Sequence, residues 1–562
     1  MSLYWTLFVI CIQTTVIGGQ RFTEEEIQLI DSTVEAVRKC KHIPGLGISL
    51  VRNGSVLYKG YGQARLDPPV SFDEFTVSNI GSTGKAFTAA LLGILITESR
   101  RKGERLGWDS KVADILGSDF HMSTDVVTSE MTIKDILTHR TGLQNPDLSL
   151  LTVLENITRT AFVSRLKYLP QTMDFRDEMS YNNFMYMIAG HVAEVLGGKS
   201  FETLIKEKIW DPLGMNGSYF LDDVSSRNEH FAFPYFLING TLNFTDDDFL
   251  LYRLHHYSPA GGLCSSSRDL SKWLIFLLGN GTSENGLNLI DKDVFEDMFE
   301  PSISLPRKLM DRYTLEKPYP VHSIVSWYGY AWFGRNYRGQ RSVFHTGSLH
   351  AYSTIASLYP QAKSGFFMMA NGPWPVKFRT DLEPLSYVLS DILLQEEQWL
   401  NLSTVCSFPE PWEEKQIKNE TVTEISTDEL YDFTPCVGKY GHAIYGDIAI
   451  SNDLANRNLS FRMNSIGEGN LALVFSENST FHMDFAGRLS LIFGQSCEAY
   501  FAEQSNGLFQ KLHLKCAGEY DFHRGVSFLG EYGPTSSSTF MICDISLLIL
   551  SMFILLLLVH LS

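Results

Sequence analysis

Serine followed three residues later by lysine is a pairing that can do chemistry, because a hydroxyl is a poor nucleophile until a neighbouring base takes its proton. The spacing occurs three times, at Ser82/Lys85, Ser99/Lys102 and Ser164/Lys167, so spacing alone does not choose. Ser99 falls in the charged run ESRRKGER at a helix end, and Ser164 in SRLKYLP with no small residue before it. Both read as solvated surface. Ser82 differs: Gly81 precedes it and the apolar run AFTAALLGILI follows, which places it at the N-terminus of a buried helix. Lys85 is then one turn on and on the same face. Burial disfavours its ammonium form, and the helix N-terminus adds positive potential where an oxyanion would develop. Other suggestive motifs fail. GSTGKA and LGGKS do not complete a phosphate loop, since Ala86 follows Lys85 and Ala193 stands where the first glycine is needed. His255-His256 lacks further ligands at metal spacing and reads as loop, so neither metal nor cofactor is expected.

The elements that must position the pair follow from periodicity and punctuation. Thr23-Glu24-Glu25-Glu26 is a capping box before an amphipathic helix running to Cys40. GLGISLVRNGSVLYKGYGQARL alternates around Asn53-Gly54 and predicts a hairpin. Helices are expected over 82–98, 132–139, 181–197, 200–210, 267–279 and 382–399, and strands over 342–347, 351–360 and 364–372. Strands at both ends with helices between them indicate an α+β domain over residues 20–400 rather than repeating βαβ units. Residues 401–435 are acidic and polar, carry Pro409 and Pro411, and read as a linker. From 436 to 532 short runs such as GDIAIS, NLSFRM, LALVFS, TFHMDF, LSLIFG and FQKLHLK alternate with turns and predict a small all-β barrel or sandwich.

Two more segments join the serine–lysine pair: Tyr181-Asn182-Asn183, opening a helix, and His345-Thr346-Gly347-Ser348, on a strand. In this order S-x-x-K, Y-x-N and H-T-G resemble the serine β-lactamase and penicillin-binding-protein superfamily, above all its class C β-lactamase, D-alanyl-D-alanine carboxypeptidase and esterase branch. TIKDILTHRTGL (132–143), KIWDPLGM (208–215) and PAGGLCSSSRDLSKWL (259–274) are also similar to that branch, and the likeness covers about residues 24–395. It implies a β-lactamase/transpeptidase-like fold, an antiparallel sheet flanked by helices with a helical subdomain. It also implies an acyl-enzyme route on a small peptide, amide or ester. Ser82 would be the nucleophile, with Lys85 and Tyr181 sharing the base work and Tyr181 protonating the leaving group. Asn183 would hold the substrate amide and Lys85, and the N–H groups of Ser82 and Ser348 would form the oxyanion hole. His345, Thr346 and Gly347 would belong to the strand along which substrate lies. His345 stands where many β-lactamases carry lysine. A histidine only partly charged at neutral pH should capture a β-lactam carboxylate weakly, favouring peptide or ester substrates. VGKYGHAIYGDIAI (437–450) looks like the start of the lipocalin-like domain appended to some members, where it serves substrate access or assembly. A second reading is a non-catalytic matrix glycoprotein that keeps the fold, similar to acidic β-lactamase-like proteins of animal extracellular matrices, including mollusc shell. An excess of carboxylates could suit calcium-rich surroundings, although the sequence has no long Asp or Glu run.

Composition bounds these readings. The 562 residues carry 46 Lys+Arg against 64 Asp+Glu, a net charge of −18, with 44% apolar residues. That is a globular composition, and its acidity argues against a nucleic-acid partner. Residues 1–19 hold an apolar run ending in small residues and read as a secretory signal peptide. Ser536-Ser537-Ser538, a spacer and the apolar run Ile545 to Leu561 within the tail 533–562 resemble a GPI-attachment signal, with a membrane anchor as the alternative. Sequons at Asn53, Asn156, Asn216, Asn239, Asn243, Asn280, Asn401, Asn419, Asn458 and Asn478 fit an extracellular glycoprotein, secreted or held at the outer cell surface. Cys40, Cys264, Cys406, Cys436, Cys497 and Cys516 are then the disulfide candidates, with at least one bridge expected beyond residue 400.

Overall fold

The computed structural model describes residues 21–118, 120–145, 157–224, 230–244, 255–375, 377–413, 431–453, 458–463, 467–475, 478–487, 490, 497–516 and 518–527. The expected signal peptide, the C-terminal tail, Asn156, Asn419 and nearly all of the expected strand 489–494 lie outside them.

A nine-stranded antiparallel sheet carries the first domain. Near one edge lies the hairpin Ser55–Leu66 and Gly45–Arg52, followed across the sheet by Ser364–Ala370, the central strand Tyr352–Tyr359, Gln340–Leu349 and Phe333–Tyr337. Asn53 takes φ 48° and Gly54 φ 82°, the left-handed pair that a tight hairpin turn requires. Alternation then sorts side chains to two faces. Ile48, Leu50, Phe366 and Met368 pack beneath the helices Glu24–Cys40 and Glu383–Leu394. Phe367 and Met369 face the other core, with Trp273 and Leu274 of the helix Ser267–Leu278. The first helix starts as its sequence dictates: Thr23 Oγ1 accepts the Glu26 N–H at 3.1 Å, and the Thr23 N–H donates to Glu26 Oε2 at 2.7 Å.

Residues 401–413 are not linker. Val405 and Phe408 are buried, Trp412 packs against Tyr319 and edge-on to Trp399, and Cys406 is bonded to Cys40 of the first helix. Aromatic side chains and a disulfide override the polar composition that suggested a free connection, leaving only 414–430 between the domains, outside the described residues.

The C-terminal domain is a closed eight-stranded antiparallel barrel running in sequence order from Gly438–His442 to Glu519–Arg524. It closes where Tyr440 pairs with Arg524 and Gly441 with His523. Alternate residues such as Ile448 and Ile450, Phe481 and Met483, Leu512 and Leu514 are buried, so side chains fill the interior of a barrel this size. A second disulfide, Cys497–Cys516, ties two of its strands. Cys264 and Cys436, expected among the bridged cysteines, are free. Each is enclosed separately: Cys264 beneath the Asn79 amide at 3.8 Å, Cys436 beside the Tyr431 hydroxyl at 3.7 Å. Burial raises both thiols, Cys436 to about 12, so they act as small apolar residues.

Candidate active site

Asn79, at the end of the short strand Val77–Asn79, builds the turn that presents Ser82. Its Nδ2 donates to Gly261 O and Leu263 O at 3.1 and 3.0 Å, while its Oδ1 accepts the Gly81 N–H at 2.9 Å. Gly81 then takes φ 52°, a left-handed conformation open to glycine. Ser82 lies in a 3₁₀ turn, Gly81–Gly84, that leads into the helix Lys85–Arg101; it is one turn earlier than a seat in the α-helix itself. Its neighbours are buried and Ser82 alone in the turn stays partly accessible.

The turn is pressed against the strand Gln340–Leu349. A Cβ on Gly81 would lie 2.6 Å from Ser348 N, and one on Gly347 would lie 2.3 Å from Ile80 O and 3.1 Å from Ser82 N. Glycine at both positions is what lets the amide nitrogens of Ser82 and Ser348 approach one another. Pairing with Phe333–Tyr337 stops opposite Phe344, so among the described residues His345 to Leu349 are paired only on their other side, with Tyr352–Ala356. An unpaired strand edge therefore runs beside Ser82.

Lys85 is fully buried. Its Nζ lies 3.0 Å from Ser82 Oγ, 2.7 Å from Asn183 Oδ1 and 2.7 Å from Ala260 O, and 5.0 Å from the Tyr181 ring centroid. Asn183 opens the helix Asn183–Gly197, and Asn182 is its N-cap, accepting the Phe184 N–H at 2.9 Å. The structure thus brings Ser82, Lys85, Tyr181 and Asn183 together, as the motif order implied.

His345 departs from expectation. Burial first, then the nearby Lys85, holds its imidazole down to about 3, so it is uncharged at neutral pH rather than partly charged. Nδ1 lies 2.5 Å from Thr346 O and Nε2 3.1 Å from Tyr328 OH; a proton on Nδ1 satisfies both, with Tyr328 donating. The ring faces the Tyr328 and Phe333 rings, and strand alternation leaves Thr346 and Ser348 as the partly accessible side chains. The His345 ring is buried, 6.1 Å from the Tyr181 ring, beneath the cluster rather than on the accessible side of the strand.

Sequence reasoning missed several supports. His139 packs at a tilt against Tyr181, ring centroids 4.3 Å apart, and accepts the Asn182 N–H at Nδ1, 3.1 Å away. Burial, Lys85 and His345 keep it neutral. Its stretch TIKDILTHRTGL, and PAGGLC holding Ala260, carry the family likeness, but only the fold assigns them a task. Among the described residues, no group of three or more His, Cys, Asp or Glu could hold a metal ion. No described helix is long and apolar enough to cross a membrane.

A β-lactamase family model matches residues 30–386. The chain belongs to the β-lactamase family. Among curated proteins it is similar to an unguisins hydrolase of Aspergillus violaceofuscus, 29% identical over 355 residues, which are 61% of this chain and 61% of that one. The match therefore spans less than two-thirds of the relative. Among solved structures it is similar to the octameric penicillin-binding protein homologue from Pyrococcus abyssi, at 20% identity and a TM-score of 0.55, covering 88% of this chain and 99% of that one. The D-amino acid amidase from Ochrobactrum anthropi gives a TM-score of 0.52 at 17% identity over 66% of this chain and 98% of its own. These two likenesses establish a shared fold, and the first, covering 88% of this chain, extends over the barrel as well.

Proposed function

We propose that this β-lactamase family member is an extracellular serine hydrolase that passes through a Ser82 acyl-enzyme on a peptide, amide or ester. The observation that carries the reading is the buried Lys85 Nζ at 3.0 Å from Ser82 Oγ, with two acceptors, Asn183 Oδ1 and Ala260 O, each at 2.7 Å. With two N–H bonds directed at Asn183 Oδ1 and Ala260 O, an unprotonated Lys85 turns its lone pair to Ser82 and takes the hydroxyl proton. Ser82 Oγ attacks the acyl carbon, and the Ser82 and Ser348 N–H groups receive the oxyanion. Tyr181 delivers a proton to the leaving group, and water, deprotonated by the same groups, releases the acid. A neutral His345 offers no cation for a substrate carboxylate, which supports uncharged esters and amides over β-lactams. That the fungal relative is a hydrolase, and the bacterial neighbour an amidase, fits this chemistry.

Export is part of the proposal. Seven of the eight described sequon asparagines, all but the half-buried Asn458, are exposed, and two disulfides are formed. A fluorophosphonate probe should label the glycosylated protein, and Ser82→Ala should abolish the label. Failure of the wild-type protein to label or to turn over any ester would instead favour a matrix glycoprotein that keeps the fold.

A further inference from the structure

The barrel does not merely follow the first domain; it holds Gln144, the residue behind the segment Tyr181–Asn183. The hairpin between the strands Gly438–His442 and Gly446–Asp453 is buried against the first domain, and Tyr445 at its tip is 2% exposed. The tip is braced from within: His442 stacks on Tyr445 at 4.1 Å and accepts the Ile444 N–H at 3.1 Å. Tyr445 OH donates to Gln144 Oε1, and Gln144 Nε2 donates to Glu519 O in the last barrel strand. Both ends of the Gln144 amide are thus engaged by the barrel. Its backbone is engaged by the active site, because Asn182 Nδ2 donates to Gln144 O at 2.8 Å. Asn182 is the residue between Tyr181 and Asn183, and it caps the helix that carries Asn183. Tyr445, Gln144 and Asn182 form one hydrogen-bonded chain from the barrel to the segment Tyr181–Asn183.

We propose that the barrel positions Tyr181 and Asn183 through this chain, with Tyr445 and Gln144 as positioning residues for the hydrolysis proposed above, on which this inference rests. Arg165 supplies an internal control: it donates to Ala443 O of the same hairpin at 3.0 Å and is not a member of the Tyr445–Gln144–Asn182 chain.

The test uses the full chain. Tyr445→Phe and Gln144→Ala should each slow fluorophosphonate labelling of Ser82 and lower kcat on a neutral ester by about tenfold, with KM nearly unchanged. Arg165→Met should alter neither. Asn182→Asp keeps the helix cap but removes the donor to Gln144, so Tyr445→Phe in that background should cost little more, a coupling that a simple loosening of the barrel would not produce. Independently of catalysis, amide hydrogen exchange over residues 180–184 should quicken in Tyr445→Phe and stay unchanged over the helix Glu383–Leu394. Normal wild-type labelling, with rates and exchange unchanged in both variants, would overturn this inference alone. Absence of wild-type labelling at Ser82 would overturn the hydrolase reading and this inference with it.

Discussion

One helix, Lys85–Arg101, has a serine–lysine pair with the same spacing at each end, and the two pairs share nothing else. At the N-terminal end Lys85 is fully buried and its Nζ lies within 3.0 Å of three oxygens, one of them Ser82 Oγ. At the C-terminal end Lys102 is exposed, and Ser99 Oγ donates to Glu104 Oε2 at 2.7 Å. The N-terminal pair sits where peptide N–H groups lack helical partners and can meet an anion, the C-terminal pair where free carbonyls would repel one. Spacing brings a lysine to a serine; burial, acceptors and helix polarity decide whether it acts as a base. The third pair makes the same point: Ser164 and Lys167 are exposed and flank Arg165 at the barrel contact.

The contrast can be broken at several places. The largest effect should come from the nucleophiles: Ser82→Ala loses all labelling, on the order of 10³-fold or more, whereas Ser99→Ala and Ser164→Ala label at the wild-type rate. The bases come next. Lys85→Ala should slow ester turnover by about 10²–10⁴-fold, and Lys102→Ala should leave it unaltered, both read from initial rates. Glycines should separate the ends by mechanism. Gly347→Ala drives a Cβ to 2.3 Å from Ile80 O and should cost about 10²-fold in kcat by displacing the oxyanion donors. Gly103→Ala, at φ 83° with open space around it, should lower only the melting temperature.

The smallest effect concerns pH. His345 is held near 3 when folded and takes its proton near 6.5 when unfolded. The unfolded chain therefore binds the proton first, so stability is complete above about pH 6.5 and declines as pH falls towards 3. Labelling rates between pH 6 and 8 should show no step from His345, while thermal midpoints should drop from pH 7 to pH 5, less steeply in His345→Gln. A step in rate near pH 6.5 that vanishes in His345→Gln would contradict a neutral His345.

What the sequence disclosed was local or ordered along the chain. Thr23 with Glu26, Asn53 with Gly54, and the succession of Ser82, Tyr181 and His345 are each visible in a few residues. What it concealed depended on distant partners. The neutrality of His345 comes from burial and from the nearby Lys85, which no spacing encodes. The docking of 401–413 rests on Cys40, Tyr319 and Trp399. Barrel closure needs Tyr440 to meet Arg524, and Gln144 gains meaning only once Tyr445 reaches it.

The central claim is a covalent intermediate on one serine. Intact-mass spectrometry of the glycosidase-treated protein, quenched in acid during turnover of a slow neutral ester, tests it most directly. The account predicts a single acyl adduct, mapped by peptide sequencing to Ser82 and absent from Ser82→Ala. Turnover without an adduct in either protein, or an adduct on Ser99, Ser164 or any other serine, would contradict it.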